Sequence, residues 1–279
     1  MSNTFLGYQS GYTNLTGANN VSVGQDALRA GTVAWGNTAV GYRAAYTTTT
    51  GQSNVAIADS ALYANTTGSN NVALGYRAGL TNTTGATNTF IGATADASAA
   101  ALSNSAAIGF GATVNASNKI RLGNASVTVV ETQGSFVTVS DRRLKTNIND
   151  NFIGLNFIKA IRPVHYELKA QKGLIYDGFI AQEIDSILQK QGIANFSGLV
   201  KPQNTEGGYY TVSYATFVVP LVNAVKELDA KSEALNKENA ALKAELEKMK
   251  KDNANLKTSV DKNSQDIEVI KAALAKKNN

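Results

Sequence analysis

Asn71-Val72-Ala73-Leu74-Gly75-Tyr76-Arg77-Ala78-Gly79 belongs to a unit that recurs through the first half of the 279-residue chain. Gly7, Gly24, Gly41, Ala58, Gly75, Gly92 and Gly109 stand 17 residues apart, with alanine once in place of glycine. Four residues before each come Asn3, Asn20, Asn37, Asn54, Asn71, Asn88 and Ser105, and directly before each an aliphatic: Leu6, Val23, Val40, Ile57, Leu74, Ile91, Ile108. Three residues after comes a small one: Ser10, Ala27, Ala44, Ala61, Ala78, Ala95, Ala112. Gly17, Gly51, Gly68 and Gly85 repeat a second turn signal at the same period. A fixed period of this length means stacked coils. Each copy reads as two short strands, Asn71–Gly75 and Tyr76–Gly79, set between Thr/Asn/Gly turns. One copy is too poor in apolar side chains to stand alone. Stacked, seven are expected to bury a ladder of aliphatics and pair each backbone with the next. At about 4.8 Å per coil the roll is roughly 30–35 Å long. The recurrent Ala/Ser positions leave room for a close partner, which predicts a bundle of parallel rolls.

Working outward, the composition fits a fibre better than one round core. Aromatics are 8% and charged residues 17%, with no cysteine to form disulfides, thiol nucleophiles or cysteine metal sites. The net charge of +5 is not concentrated: five basic residues face four acidic ones before Ser140, and the rest lies where Lys alternates with Glu. That describes a solvated face, not a nucleic-acid stripe. The N-terminal residues carry no basic and apolar leader pattern, and no apolar run is long enough for a bilayer. No nucleic-acid partner, membrane, cofactor or metal is expected.

After Gly109 the period breaks. Residues 119–139 read as a neck of two β-branched strands around Gly123 and Gly134. Ser140-Asp141-Arg142-Arg143-Leu144-Lys145 then marks an abrupt change of composition. A serine hydroxyl becomes a nucleophile when a neighbour takes its proton, and a lysine can do this where desolvation or nearby cations lower its pKa. Arg142 and Arg143 could supply such cations, and the strand-like Phe136–Val139 could present Ser140 at an edge. Asp141 and Glu183 could orient Lys145. On spacing alone, a Ser and a Lys five apart are more often two surface residues than a catalytic pair. His165, the only histidine, reads as facing outward on a strand or packing on Tyr166. Gly207-Gly208 reads as a hairpin turn, since no phosphate-binding pattern follows it.

The ordered motifs resemble known families. Aliphatic–Gly–x–x–Ala/Ser over residues 1–118 resembles the head repeats of trimeric autotransporter adhesins, implying a left-handed parallel β-roll packed in threes. Ser140–Lys145 with Ile148, Leu155–Tyr166, Gly178-Phe-Ile-Ala-Gln182-Glu183, Tyr210–Tyr214 and Pro220–Leu228 resemble the endosialidase-type intramolecular chaperone of phage tail fibres. That likeness implies a Ser140–Lys145 dyad, a cut between Ser140 and Asp141, and supporting places for Arg142, Arg143, Gln182 and Glu183. It implies a virion tail fibre, or a bacterial surface fibre, that assembles as three copies.

From Pro220 a heptad runs unbroken, with one seam on Leu221, Leu228, Leu235, Leu242, Met249, Leu256, Asn263 and Ile270. The other seam is Val225, Ser232, Asn239, Leu246, Asn253, Val260, Ile267 and Leu274. A coiled coil is expected, with Asn239, Asn253 and Asn263 fixing its register. The expected fold is mostly β plus α: a roll over 1–118, a β neck over 119–139, a small α+β chaperone and autoprotease over 140–220 and a trimeric coiled-coil stalk over 221–279. The expected function is a fibre segment whose tail assembles a parallel homotrimer and then cuts itself off. The alternative is a surface adhesin that keeps its stalk. A host glycan or protein receptor would meet the roll, where Tyr8, Trp35, Tyr42 and Tyr76 read as packing or decoration.

Overall fold

The computed structural model describes residues 2–169, 171–202 and 209–277, the side chains of Gln171 and 275–277 excepted; Gly207-Gly208 lies outside them. The chain divides into two compact units, Met1–Thr138 and Val139–Asn279.

The first unit is a parallel β-solenoid. Each coil contributes one three-residue strand: β1 Thr4–Leu6, β2 Val21–Val23, β3 Thr38–Val40, β4 Val55–Ile57, β5 Val72–Leu74 and β6 Thr89–Ile91. After β7 (Asp96–Ala97) come β8 Ala106–Ile108, β9 Thr113–Val114 and β10 Ile120–Leu122. The eight-stranded sheet runs β1-β2-β3-β4-β5-β6-β8-β10, all neighbours parallel. Register partners stand 17 apart, as in Ala56↔Ala73, until Ala106 pairs with Ile120 across a shortened coil. Repeat glycines follow the three-residue strands at a left-handed φ, except after β4 where Ala58 stands; φ is 135° at Gly75, where a Cβ would lie 2.6 Å from the Gly92 carbonyl carbon.

Packing inside the roll reverses one expectation. In a three-residue strand the central side chain points opposite to its neighbours. The interior receives the central Ala39, Ala56, Ala73, Phe90 and Ala107, and the strand-ending Ile57, Leu74, Ile91 and Ile108 stay 36–46% exposed. The small residues expected to admit a partner, Ala27, Ala44, Ala61, Ala78, Ala95 and Ala112, are fully buried within the roll. Their neighbour is the opposite wall, as Ser10 Oγ illustrates by donating to Ser22 Oγ at 2.8 Å. Walls this close take alanine on most rungs, and Phe90 fits where the facing residue is Gly79, at which a Cβ would lie 2.7 Å from the ring. Polar interior positions are matched by a ladder. Asn54 Nδ2 donates to the Gly68 carbonyl at 2.9 Å, and its Oδ1 accepts the Asn71 backbone N–H at 3.0 Å. Asn20, Asn37, Asn71 and Asn88 sit equally buried.

Two strand expectations also change. The second piece of each copy, such as Tyr76–Gly79, is a turn, with Arg77 and Gly79 at positive φ. It becomes a strand pair only in β7 and β9. In the neck, Ile120–Leu122 joins the solenoid sheet, and residues 123–139, Phe136–Val139 included, have no strand. Strand propensity is realised only against a paired neighbour, and this stretch has none among the described residues.

In the second unit, a 3-10 turn (Arg142–Leu144) leads to α1 Leu155–Ala160 and the antiparallel hairpin of β11 Val164–Leu168 with β12 Gln171–Gly178. Next come α2 Ala181–Lys190, the antiparallel β13 Leu199–Val200 and β14 Thr211–Val212, a 3-10 turn Tyr214–Phe217, and α3 Val218–Lys277. Ile184 and Leu188, one turn apart on α2, bury against Phe157, Leu199 and Phe217. Phe157, Phe196 and Phe217 interlock with ring centroids 5.1–6.1 Å apart. α3 has 60 residues, about 90 Å at 1.5 Å each. Beyond Ala224 no described α3 side chain is buried, and its leucine seam is exposed throughout.

Candidate functional site around Ser140 and Lys145

Side chains five residues apart point to opposite faces of a strand and lie about 140° apart on an α-helix. Neither conformation brings Ser140 to Lys145. The chain uses a tight turn, and Asp141 builds it. Its carboxylate accepts the Arg143 backbone N–H at 2.8 Å, capping the Arg142–Leu144 turn, and the Lys145 N–H closes the turn on the Arg142 carbonyl at 3.1 Å. Lys145 Nζ then donates to Ser140 Oγ at 2.6 Å.

The other predicted supports have partners of their own. Arg143 grips Asp141 through Nη2 at 2.7 Å and Nε at 3.1 Å, and this guanidinium, with the capping N–H, holds the Asp141 carboxyl below its usual range. Arg143 therefore directs its charge at Asp141. Arg142 lies exposed in the turn. Glu183 forks with Arg162 at 2.5 and 3.2 Å, and that contact lowers its pKa. Gln182, in the first turn of α2, offers its backbone carbonyl to Ser186 Oγ at 2.9 Å. Asp141 and Glu183, read as groups to orient Lys145, hold Arg143 and Arg162 instead. His165 points outward from β11, its Nδ1 against the Asp177 carboxylate and both side chains over 80% exposed. Asn239, Asn253 and Asn263 lie exposed along α3.

Two residues that sequence reading passed over sit on the outer face of α3. Asn223 Nδ2 donates to the carbonyls of Asn151 and Ile153 at 2.7 and 3.1 Å. Glu227 Oε1 accepts the Leu155 N–H at 3.2 Å. They fall inside the Pro220–Leu228 motif, which was read as the entry to the stalk without a role for either residue.

Ser140 and Lys145 are both exposed, so the pair is assembled but open to water. A hydroxyl touching an amine can undergo proton transfer and acylation once a carbonyl is presented and water is excluded. Among the described residues no cluster of His, Asp or Glu could hold a metal ion, and no helix is long and apolar enough to cross a membrane.

Residues 140–193 match the model of a peptidase family described as the chaperone of endosialidase. No curated protein and no solved structure matches the chain. The match begins at Ser140, takes in α1, the β11–β12 hairpin and α2, and stops before β13. The resemblance read from the hexad is borne out over these residues, with a parallel solenoid before them and a long helix after. The family implies a self-cleaving peptidase domain and an intramolecular chaperone of the tail-fibre type.

Proposed function

We propose that this chain is a segment of a trimeric fibre, of a phage tail or a bacterial surface, assembled from its C-terminal end and then cut between Ser140 and Asp141. One observation carries the reading: Ser140 and Lys145 meet at 2.6 Å where the chaperone match begins. Two apolar stripes support self-association. The strand-end aliphatics from Leu6 to Leu122 form one line along the roll, and the α3 seam forms another. Burying a Leu, Ile or Val side chain is worth about 1.5–3 kcal/mol, so parallel copies gain along both lines. Asn239, Asn253 and Asn263, at seam positions, would favour one register. Parallel pairing over a long roll is slow, because loop closure precedes reward. Joining three chains at the tail raises the effective concentration of the rest. A receptor, glycan or protein, would meet the outer roll.

In the cut, Lys145 as a free amine takes the Ser140 hydroxyl proton while Oγ adds to the carbonyl carbon of the Ser140–Asp141 bond, leaving that carbon as an ester when the bond breaks. The resulting ammonium returns a proton to the departing amine of Asp141. Water then hydrolyses the ester, so one peptide bond breaks for one water consumed. A neighbouring chain packed over the open pair would exclude bulk water, tying the cut to assembly. The product resists unfolding kinetically, because the device that wound it has left.

The test is a denaturing gel of fresh protein. The wild type should give two fragments, and Ser140→Ala one full-length band. Lys145→Ala should stay whole yet trimeric. An intact wild type in an assembled trimer would favour a permanent adhesin, and normal cutting in Lys145→Ala would remove the lysine from the chemistry.

A further inference from the structure

We infer that Asn223 and Glu227 are positioning residues for the cut, tying the backbone just beyond the Ser140–Lys145 turn to the outer face of α3. The inference rests on the self-cleaving reading and adds how the helix governs the site.

Three features converge on one short stretch. Asn223 uses one amide nitrogen to hold two carbonyls, those of Asn151 and Ile153, at 2.7 and 3.1 Å. Glu227, one turn further along α3, accepts the Leu155 N–H, a donor at the start of α1 without an intrahelical partner. Between these contacts Gly154 leaves the space both side chains need: a Cβ there would stand 1.9 Å from Glu227 Oε1 and 3.3 Å from Asn223 Cβ. Asn151 adds a local turn, its Oδ1 accepting the Ile153 N–H at 2.9 Å. Residues 151–155 are thereby held at both ends and in the middle.

Placement on the helix gives the anchor its use. With Val225 and Leu228 as the two core positions of the heptad, Asn223 and Glu227 fall outside the core. The seam residues Leu221, Val225 and Leu228 stay 45–64% exposed. One stretch of α3 thus holds its own chain's backbone on one side and leaves an apolar seam free on the other. Helix association through the seam need not disturb the anchor. From Asn151 back to Lys145 is six residues, a tether of roughly 20 Å at most. When copies align through α3, each tether therefore keeps its Ser140–Lys145 turn within roughly 20 Å of the anchor on its own helix. Without the anchor the turn would still form, since Asp141 builds it locally, but its position would vary.

The experiment follows the appearance of the 1–140 fragment over time in the full chain, with helix content and oligomeric state measured in parallel. Asn223→Ala and Glu227→Ala should slow cutting roughly ten- to a hundred-fold, the usual cost of misplacing reacting groups, in chains as helical and as assembled as the wild type. Glu227→Gln, which retains an oxygen acceptor, should recover most of the rate lost in Glu227→Ala. Gly154→Ala should be slow as well, because its methyl displaces the Glu227 carboxylate. Equal rates in wild type, Asn223→Ala and Glu227→Ala overturn the inference and leave the peptidase reading standing. Failure of Glu227→Gln to recover any rate overturns it too, since the hydrogen bond would then not be what matters. A wild-type chain that stays whole beside an equally whole Ser140→Ala overturns both.

Discussion

At the scale of single residues, Ala58 is the exception in an otherwise glycine ladder. It adopts φ 113°, a value its repeat counterparts reach as glycines, from 114° at Gly109 to 135° at Gly75. An L-residue held there stores about 1–3 kcal/mol of strain. Glycine would release it while losing up to about 1 kcal/mol through greater freedom of the unfolded chain. Ala58→Gly should therefore stabilise the roll by about 1 kcal/mol in equilibrium unfolding, and a lower unfolding midpoint would contradict the strain. Gly41→Ala should do the reverse, its Cβ meeting the Ala58 carbonyl at 2.6 Å. The ladder itself was legible because a 17-residue spacing is independent of surroundings. Which side chains turn inward was not. Val-Ala-Leu invites burial of the larger residues, and only the closeness of the opposite wall, a tertiary fact, assigns the interior to alanine. The Ser140–Lys145 contact was half legible. The residue types marked it, but the geometry depends on Asp141 capping a turn, a role that reading Asp141 as a partner for Lys145 overlooked.

Among the elements, α2 is joined to the β13 end by a charge as well as by Ile184 and Leu188. Asp185, 8% exposed, receives Lys201 Nζ at 2.6 Å and the Tyr210 hydroxyl at 3.2 Å. Lys201 is the main cause that holds its carboxyl below the usual range; burial opposes it. A carboxyl lowered in the folded state binds protons more readily when unfolded. Its contribution is thus present above the ordinary carboxylate range and fades as pH falls through the lowered value. Thermal unfolding of the second unit should lose stability on acidification through and below pH 4, and Asp185→Asn should flatten that dependence. An unchanged pH profile in the variant would place the acid sensitivity elsewhere. α3 was readable from its heptad and Pro220, whereas the stretches that form α1 and α2 were marked only by their likeness to a known family. The neck was not, because Val127–Val139 has the composition of strands and no strand among the described residues bonds to it.

At the scale of the whole molecule, the two units differ in how they acquire order. The roll closes over alanine and asparagine, with few large side chains buried, and each coil depends on the next. The C-terminal unit has a compact aromatic cluster and a long helix with a free seam, so it can fold and associate first. In the proposed order of events the tail is the organiser and the roll its product. The most direct measurement compares the full chain with one stopped after Val139, scoring the yield of a heat-resistant trimer on an unboiled denaturing gel. The account predicts abundant trimer from the full chain and little or none from the shortened one. The same trimer in the same yield from the shortened chain would contradict it.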